Sequence, residues 1–301
     1  MEKQIITVQN FSKQFGNNQV VTDLDFEVNE GEVFAFLGAN GSGKTTTIRC
    51  LLGILEATSG SLLIQGKQYG PEMSELVGYL PEERGLYASE TVIDTMTYLG
   101  ELKGMAIEDA RLWSYDYLEQ VGLEGKAKSK IKKLSSGQQQ KIQLGITIIN
   151  DPKLLILDEP TKGLDPMNRT LLIDILLNLK KKGSTIVFIT HQMEEVEKIA
   201  DRLLMIKDGK RELYGNVTDI KTSFGEDRVI VNFQGTLPQN PELYSITTSS
   251  SSAADLVPKK NVSTDSILQY LVAQSLKIIK FEVALPSLHK IFIKISKEDE
   301  K

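Results

Sequence analysis

The sequence predicts an α/β protein built on a mostly parallel sheet, with an antiparallel β-layer ahead of it, a helical insertion within it and a small α+β unit after it. Three observations carry that reading. Gly38-Ala39-Asn40-Gly41-Ser42-Gly43-Lys44-Thr45, a Gly-x-x-x-x-Gly-Lys-Thr pattern, sits between an apolar run at residues 32–37 and an amphipathic helical pattern that opens near Gly43. Residues 154–157 and 185–190 are short apolar runs of the kind shown by strands buried on both faces, and ionisable groups follow each. After Gly215 the character of the chain changes, which divides it into a unit over residues 1–215 and a second over 216–301.

Taken in order, residues 4–8 and 24–28 alternate as half-buried strands do, with residues 11–16 read as a loop between strands that carries Phe15. An aromatic there either stacks on an adenine ring or belongs to the core. Strands near 61–64 and 76–80 frame a turn-rich connection at 66–71. Residues 91–122 are helical, with Val92, Met96 and Leu99 on one face, Leu112, Tyr115 and Leu118 on another, and Lys103-Gly104 between the two segments. The lysine-rich stretch 125–133 reads as a solvated turn. A helix over 136–150 opens at Ser135 and Ser136, with Gln138 and Gln139 at capping-box spacing.

Asp158 and Glu159 end the strand at 154–157, a helix follows over 167–182, and His191 directly follows the strand at 185–190, ahead of a helix from near Glu194. Two neighbouring parallel strands thus end with carboxylates and an imidazole at their carboxyl ends, the edge at which such sheets bind ligands. Asp208-Gly209 joins a hairpin of residues 202–207 and 210–214. In the second unit, residues 228–233 and 277–283 read as strands, 264–275 as a helix, 247–252 as a flexible or edge segment and the residues from Pro286 as a last amphipathic segment.

Composition narrows the classes. The 301 residues are 41% hydrophobic and 25% charged, enough for one or two domains with a real core, and no stretch approaches the roughly 18 apolar residues of a membrane span. The start lacks a secretory pattern and there is one cysteine, Cys50, expected as a small buried apolar residue, so a cytoplasmic setting is expected. A net charge of −5 offers no general attraction to nucleic acid or anionic lipid.

The chemistry concentrates at the glycine-rich loop. Its backbone N–H groups can wrap a triphosphate, Lys44 supplies a point charge, Thr45 offers a hydroxyl to Mg²⁺, and the helix beyond places its positive end at the phosphates. His191, one of two histidines, can cap a helix or face a ligand there; His289 has no metal-ligand companion and reads as a packing or surface residue.

The loop, Leu134-Ser135-Ser136-Gly137-Gln138, residues 154–159, Gly163-Leu164-Asp165 and His191, in that order and spacing, resemble the nucleotide-binding subunit of ABC transporters over residues 1 to about 215. The resemblance implies a P-loop NTPase core with an antiparallel β subdomain and a helical subdomain at about 86–150, and a subunit that binds and hydrolyses ATP with Mg²⁺. It implies that Phe15 stacks on adenine, that Gly38, Asn40, Gly41, Ser42, Gly43, Lys44, Thr45 and Thr46 cradle the phosphates, and that Asp158 holds Mg²⁺. Glu159 matches the general base and His191 the residue that contacts the γ-phosphate. Ser135, Ser136, Gly137, Gln138 and Asp165 match segments that reach the ATP of a second ATPase subunit, in a homodimer or a paralogous heterodimer. A separate integral membrane permease and a place on the cytoplasmic face of the membrane follow from the same resemblance.

Two residues depart from the family pattern: Ser136 replaces a usual glycine, and Glu82 stands where the Q-loop glutamine usually does, near Mg²⁺ or a cation of the membrane partner. Residues 80–87 and 285–292 look like the ATPases of ABC-2-type exporters, the NatA-like and drug-resistance groups with a small C-terminal domain. The alternative, a soluble ABC-type ATPase working on ribosomes or nucleic acid, fits less well, because this chain has one cassette and no sustained heptads. For residues 216–301 a dimerisation or stabilising role is expected rather than ligand-dependent regulation, since no convergent polar site stands out.

Overall fold

The apolar runs form the centre of a six-stranded sheet in a computed structural model that describes residues 3–83, 85–225 and 228–298. The first unit, Met1–Asn216, begins with β1 (Gln4–Phe15), β2 (Asn18–Asn29) and β3 (Val33–Gly38), then α1 (Lys44–Leu51), β4 (Ser59–Ile64) and β5 (Val77–Leu80). Three helices follow, α2 (Val92–Leu102), α3 (Ile107–Gln120) and α4 (Ser136–Ile148). The unit closes with β6 (Leu154–Asp158), α5 (Pro166–Lys181), β7 (Thr185–Thr190), α6 (Met193–Ile199), β8 (Arg202–Lys207) and β9 (Lys210–Asn216).

The large sheet has the order β5-β6-β7-β3-β8-β9, parallel except for the β8–β9 hairpin. Every residue of β3, β6 and β7 is buried, because apolar layers cover both faces. Alternation decides which layer each side chain joins. Leu155, Leu157, Ile186 and Phe188 point into a core shared with α2 to α5, and Phe34, Phe36, Ile156 and Val187 into one shared with the antiparallel sheet β2-β1-β4. Phe26 of β2 stacks on Phe34 at 5.8 Å between ring centres.

Two expectations need correction. Residues 11–15 continue β1 instead of forming a loop: register shifts between Val8 and Phe11 and between Phe11 and Lys13 bend the strand while Phe11 stays fully buried. On α3, Leu112 is 65% exposed and Tyr115 is exposed; the buried face is Ala110, Ser114, Tyr117 and Leu118. That set keeps the helical period better than a strict three-residue step, and α4 selects it. Gly145 leaves room for the Tyr117 ring, which would crowd against any Cβ there, and the Tyr117 hydroxyl donates to the Lys141 carbonyl at 2.7 Å. Val92 and Met96 are buried and Leu99 packs beside them, as expected of α2.

The second unit, Val217–Lys301, holds α7 (Val217–Ser223), β10 (Arg228–Gln234), β11 (Tyr244–Ser249), β12 (Ala253–Pro258), α8 (Thr264–Ala273), β13 (Lys277–Ala284) and α9 (Leu288–Glu298). Its antiparallel sheet, β11-β12-β10-β13, buries Val229, Val231 and Leu256 against Ile267 and Leu271 of α8. The first half of the Ser/Thr stretch, residues 247–249, lies on β11, which is an edge strand. Among the described residues, no helix is long and apolar enough to cross a membrane.

Candidate active site

The glycine-rich loop leaves β3 at the carboxyl edge of the sheet and turns into α1. Ser42 N–H donates to the Ala39 carbonyl at 3.2 Å, and Gly43 takes φ 104°. Lys44 is buried and folds back over the loop, its ammonium donating to the carbonyls of Gly38 at 2.9 Å and Ala39 at 3.0 Å. Burial lowers its pKa, and the carboxylates of Glu159, Asp158 and Glu82 oppose that. Ser42 Oγ is buried with no hydrogen-bond partner among the described residues.

Beside the loop lies a cavity of about 420 Å³. It brings together Asn40, Gly41, Gly43, Lys44, Thr45 and Thr46 with Glu82 from the segment after β5 and with Asp158 and Glu159 from the end of β6. The Thr45 hydroxyl donates to Asp158 Oδ2 at 2.8 Å. Asp158 is 1% exposed, and burial pushes its pKa up to about 6 despite the Thr45 bond, with the Glu82 carboxylate adding to the rise. A hydroxyl and two carboxylates on one wall, one of them a buried charge without a full counter-ion, suit a divalent cation that takes its remaining oxygens from phosphates and water. Among the described residues no cluster of three His, Cys, Asp or Glu side chains stands ready to hold a metal alone.

Glu159 adopts φ 50°, the left-handed region that costs a side-chain-bearing residue about 1–2 kcal/mol. The bonds around it hold that conformation. Its N–H donates to the Ile189 carbonyl at 2.9 Å, while its Oε1 accepts from the His191 N–H at 3.1 Å and lies 2.7 Å from His191 Nδ1. The Thr190 hydroxyl reaches Oε2 at 3.4 Å. The segments after β6 and β7 are thereby tied together, with acid and imidazole in direct contact.

Other expected residues stand outside the cavity lining. Phe15 is 46% exposed at the end of β1, with the Lys13 ammonium 4.6 Å from its ring centre. Ser135 caps α4, accepting from Gln138 N–H at 3.3 Å while Gln138 Oε1 accepts from Ser135 N–H at 3.0 Å; Ser135 and Ser136 are exposed. Asp165 caps α5 through Asn168 N–H at 3.0 Å, and these amide and side-chain bonds lower its pKa. Cys50 is buried, as expected of a small apolar residue.

Sequence reasoning missed Val20, which lines the cavity from β2, and Lys162, whose ammonium sits 2.7 Å from Glu82 Oε1. The cation facing Glu82 in this structure comes from its own chain; the sequence had placed Glu82 near Mg²⁺ or a cation of the membrane partner. Arg84, inside the 80–87 stretch, lies outside the described residues. The one sequence signal for Lys162 is a cation four residues after Asp158; Val20 carries none.

A parallel sheet with a phosphate loop, Thr45 and Asp158 in contact, and a strained carboxylate against an imidazole define a nucleotide-hydrolysing P-loop protein. The family model for ABC transporter domains matches residues 21–162, and that for the ATP-binding protein DrrA1-3-like, C-terminal domain matches residues 215–296. The chain is 46% identical over 216 residues to ABC transporter ATP-binding protein MJ1023 of Methanocaldococcus jannaschii, covering 71% of this chain and 79% of that one. It is 38% identical to ABC transporter ATP-binding protein YhaQ of Bacillus subtilis, covering 96% and 97%. It is 29% identical to the linearmycin resistance ATP-binding protein LnrL of the same organism, covering 97% and 98%. A solved ATP-binding subunit of an ABC transporter superposes with a TM-score of 0.69 at 29% identity, over 73% of this chain and 93% of that one. The chain belongs to the ABC transporter ATP-binding protein family, whose members are ATPases.

Proposed function

We propose that the chain drives an export complex: two copies, or one copy and a paralogous subunit, close head to tail around two ATP and power a separate membrane permease from the cytoplasmic face, with no nucleic-acid partner. The observation that carries this reading is the division of the site. The phosphate loop, Thr45, Asp158 and Glu159 share one cavity, while Ser135, Ser136 and Asp165 lie exposed outside its lining. A half-site of this kind is completed by a second chain that brings the start of its α4 to the γ-phosphate, where a helix N-terminus favours negative charge. Export is supported by similarity to the linearmycin resistance ATP-binding protein over nearly the whole chain and by the DrrA-like C-terminal domain.

In this reading Phe15 stacks on the adenine, and the loop N–H groups and Lys44 hold the phosphates. Thr45 and Asp158, with Glu82 beside them, hold Mg²⁺, which neutralises charge on the β- and γ-phosphates when bound. Glu159 orients the attacking water and accepts its proton, and His191 holds Glu159 and meets the γ-phosphate. Ser135 to Gln138 and Asp165 act on the ATP of the opposite subunit. The experiment is Glu159→Gln: turnover is expected to fall by at least about 100-fold while ATP is retained and an ATP-dependent dimer accumulates in size-exclusion chromatography. Hydrolysis at the wild-type rate would overturn the assignment.

A further inference from the structure

Glu82 puts a carboxylate where a triphosphate must enter, so the residues that line the cavity set three carboxylates, Glu82, Asp158 and Glu159, against the ammonium of Lys44. Lys162 stands at its edge. Its ammonium donates to Glu82 Oε1 at 2.7 Å, and its backbone N–H donates to the Glu159 carbonyl at 3.1 Å, so it belongs to the turn that carries Glu159. Two glutamines of α4 hold the backbones on either side. Gln143 Nε2 lies 3.3 Å from the Pro81 carbonyl and 3.4 Å from the Glu83 carbonyl, and Gln140 Nε2 lies 2.9 Å from the Pro160 carbonyl. With both backbones braced against α4, the Glu82–Lys162 ion pair is a direct side-chain link between the two segments.

We propose that Lys162 governs how the site admits nucleotide: it is the counter-ion that lets a carboxylate stand at position 82 beside a triphosphate, and it latches Glu82 to the Glu159 turn until a divalent cation arrives with the nucleotide. The proposal rests on the ATPase reading above. A glutamine at that position needs no counter-ion; a carboxylate without one repels the incoming phosphates. When the divalent cation neutralises Glu82, Lys162 is no longer required for that purpose. Its contribution is therefore conditional, greater for metal-free ATP than for the metal complex. Both partners are well exposed, 61% for Lys162 and 42% for Glu82, so water screens the pair and the effect is modest.

The test is titration of the full chain with a fluorescent ATP analogue, once in EDTA and once in Mg²⁺, for wild type, Lys162→Ala, Glu82→Gln and the double variant. Lys162→Ala is expected to weaken binding about three- to five-fold in EDTA and less than about two-fold in Mg²⁺. Glu82→Gln is expected to tighten binding in EDTA and to make Lys162→Ala silent, and Lys162→Arg to keep wild-type behaviour. Equal losses with and without Mg²⁺, or a loss that persists in the Glu82→Gln background, would overturn the latch. Thermal melting confirms that each variant is folded, and Lys162→Gln serves the same comparison where alanine disturbs the turn. A wild-type chain that binds no ATP under either condition would instead overturn the ATPase reading itself.

Discussion

Gly43 precedes α1 and Gly137 lies in the first turn of α4, and the fold treats the two glycines differently. At Gly43, φ is 104°, and a Cβ would stand 2.7 Å from Val21 Cγ2 and 3.1 Å from the Val20 carbonyl. At Gly137 the backbone is helical, and a Cβ would meet Leu164 Cδ2 at 3.4 Å and the Gly163 carbonyl at 3.5 Å, which is ordinary van der Waals contact. The phosphate loop needs its glycine in order to fold against β2. Among the described residues, nothing needs the glycine of α4. The difference is that the cavity side is organised by its own chain, whereas the fold leaves the start of α4 free of such a demand, which agrees with the proposal that it meets a second subunit's ATP.

The largest expected effects lie on the cavity side. Lys44→Ala removes the cation that lines the cavity, and truncating one member of a desolvated charge pair costs about 2–5 kcal/mol, so ATP binding is expected to weaken by about 100-fold or more. Isothermal titration with Mg-ATP checks it. Gly43→Ala is expected to weaken binding comparably and also to lower the melting temperature of the nucleotide-free chain, because strain and the Val21 clash act without ligand. An unchanged melting temperature for Gly43→Ala would erase the contrast between the two helix starts.

Gly137→Ala is the sharper test of the other half. Alanine suits a helix better than glycine by up to about 1 kcal/mol, so the nucleotide-free chain is expected to melt at the same temperature or slightly higher, and ATP binding by a single subunit to stay at its wild-type strength. ATP-dependent association, measured in a Glu159→Gln background by analytical ultracentrifugation, is expected to weaken about ten-fold, since in the proposed dimer a methyl group there would meet the partner's phosphates. Ser136, already larger than the glycine usual in the family, lies on the exposed side of the same turn. Association at full strength would mean that the start of α4 does not approach nucleotide closely.

The same division explains what the sequence revealed. Residues 154–157 and 185–190 were legible as neighbouring strands because burial on both faces leaves an unbroken apolar run, and the Ser135–Gln138 box was legible because its bonds span three residues. The contact of Lys162 with Glu82 was not, because it joins residues 80 apart and no local pattern encodes it. The buried face of α3 was misread for a related reason: Gly145 of α4 decides that Tyr117 turns inward, and the apolar spacing of α3 alone does not. The bulges that carry β1 through Phe11, and the strand β12, likewise depend on pairing with neighbours. His191 was placed beside the carboxylates by counting along the chain; the strain at Glu159 that brings the two into contact is a property of the folded backbone.

The last effect concerns stability more than function and follows from Asp158. Its pKa is pushed up to about 6 from the ordinary 3.8, chiefly by burial, so above pH 6 the nucleotide-free fold carries a carboxylate charge that the unfolded chain would hold in water at less cost. A raised carboxylate pKa means that the folded state binds the proton more tightly. The favourable contribution is present at low pH and is lost as pH rises through about 6. At 1.36 kcal/mol per pH unit, the deficit reaches about 3 kcal/mol at neutral pH. Asp158→Asn keeps an acceptor for the Thr45 hydroxyl and removes the charge, so at pH 7.5 it is expected to stabilise the nucleotide-free chain by about 1–3 kcal/mol, read as a melting temperature several degrees higher. The gain is expected to hold steady above pH 6 and to shrink as pH falls below it. No comparable gain is expected from Ser135→Ala, where an exposed cap is removed and no buried charge is relieved. Were Asp158→Asn to leave the melting temperature unchanged at pH 7.5, the cavity side would hold its charge without strain, and the contrast with the start of α4 would rest on the glycines alone.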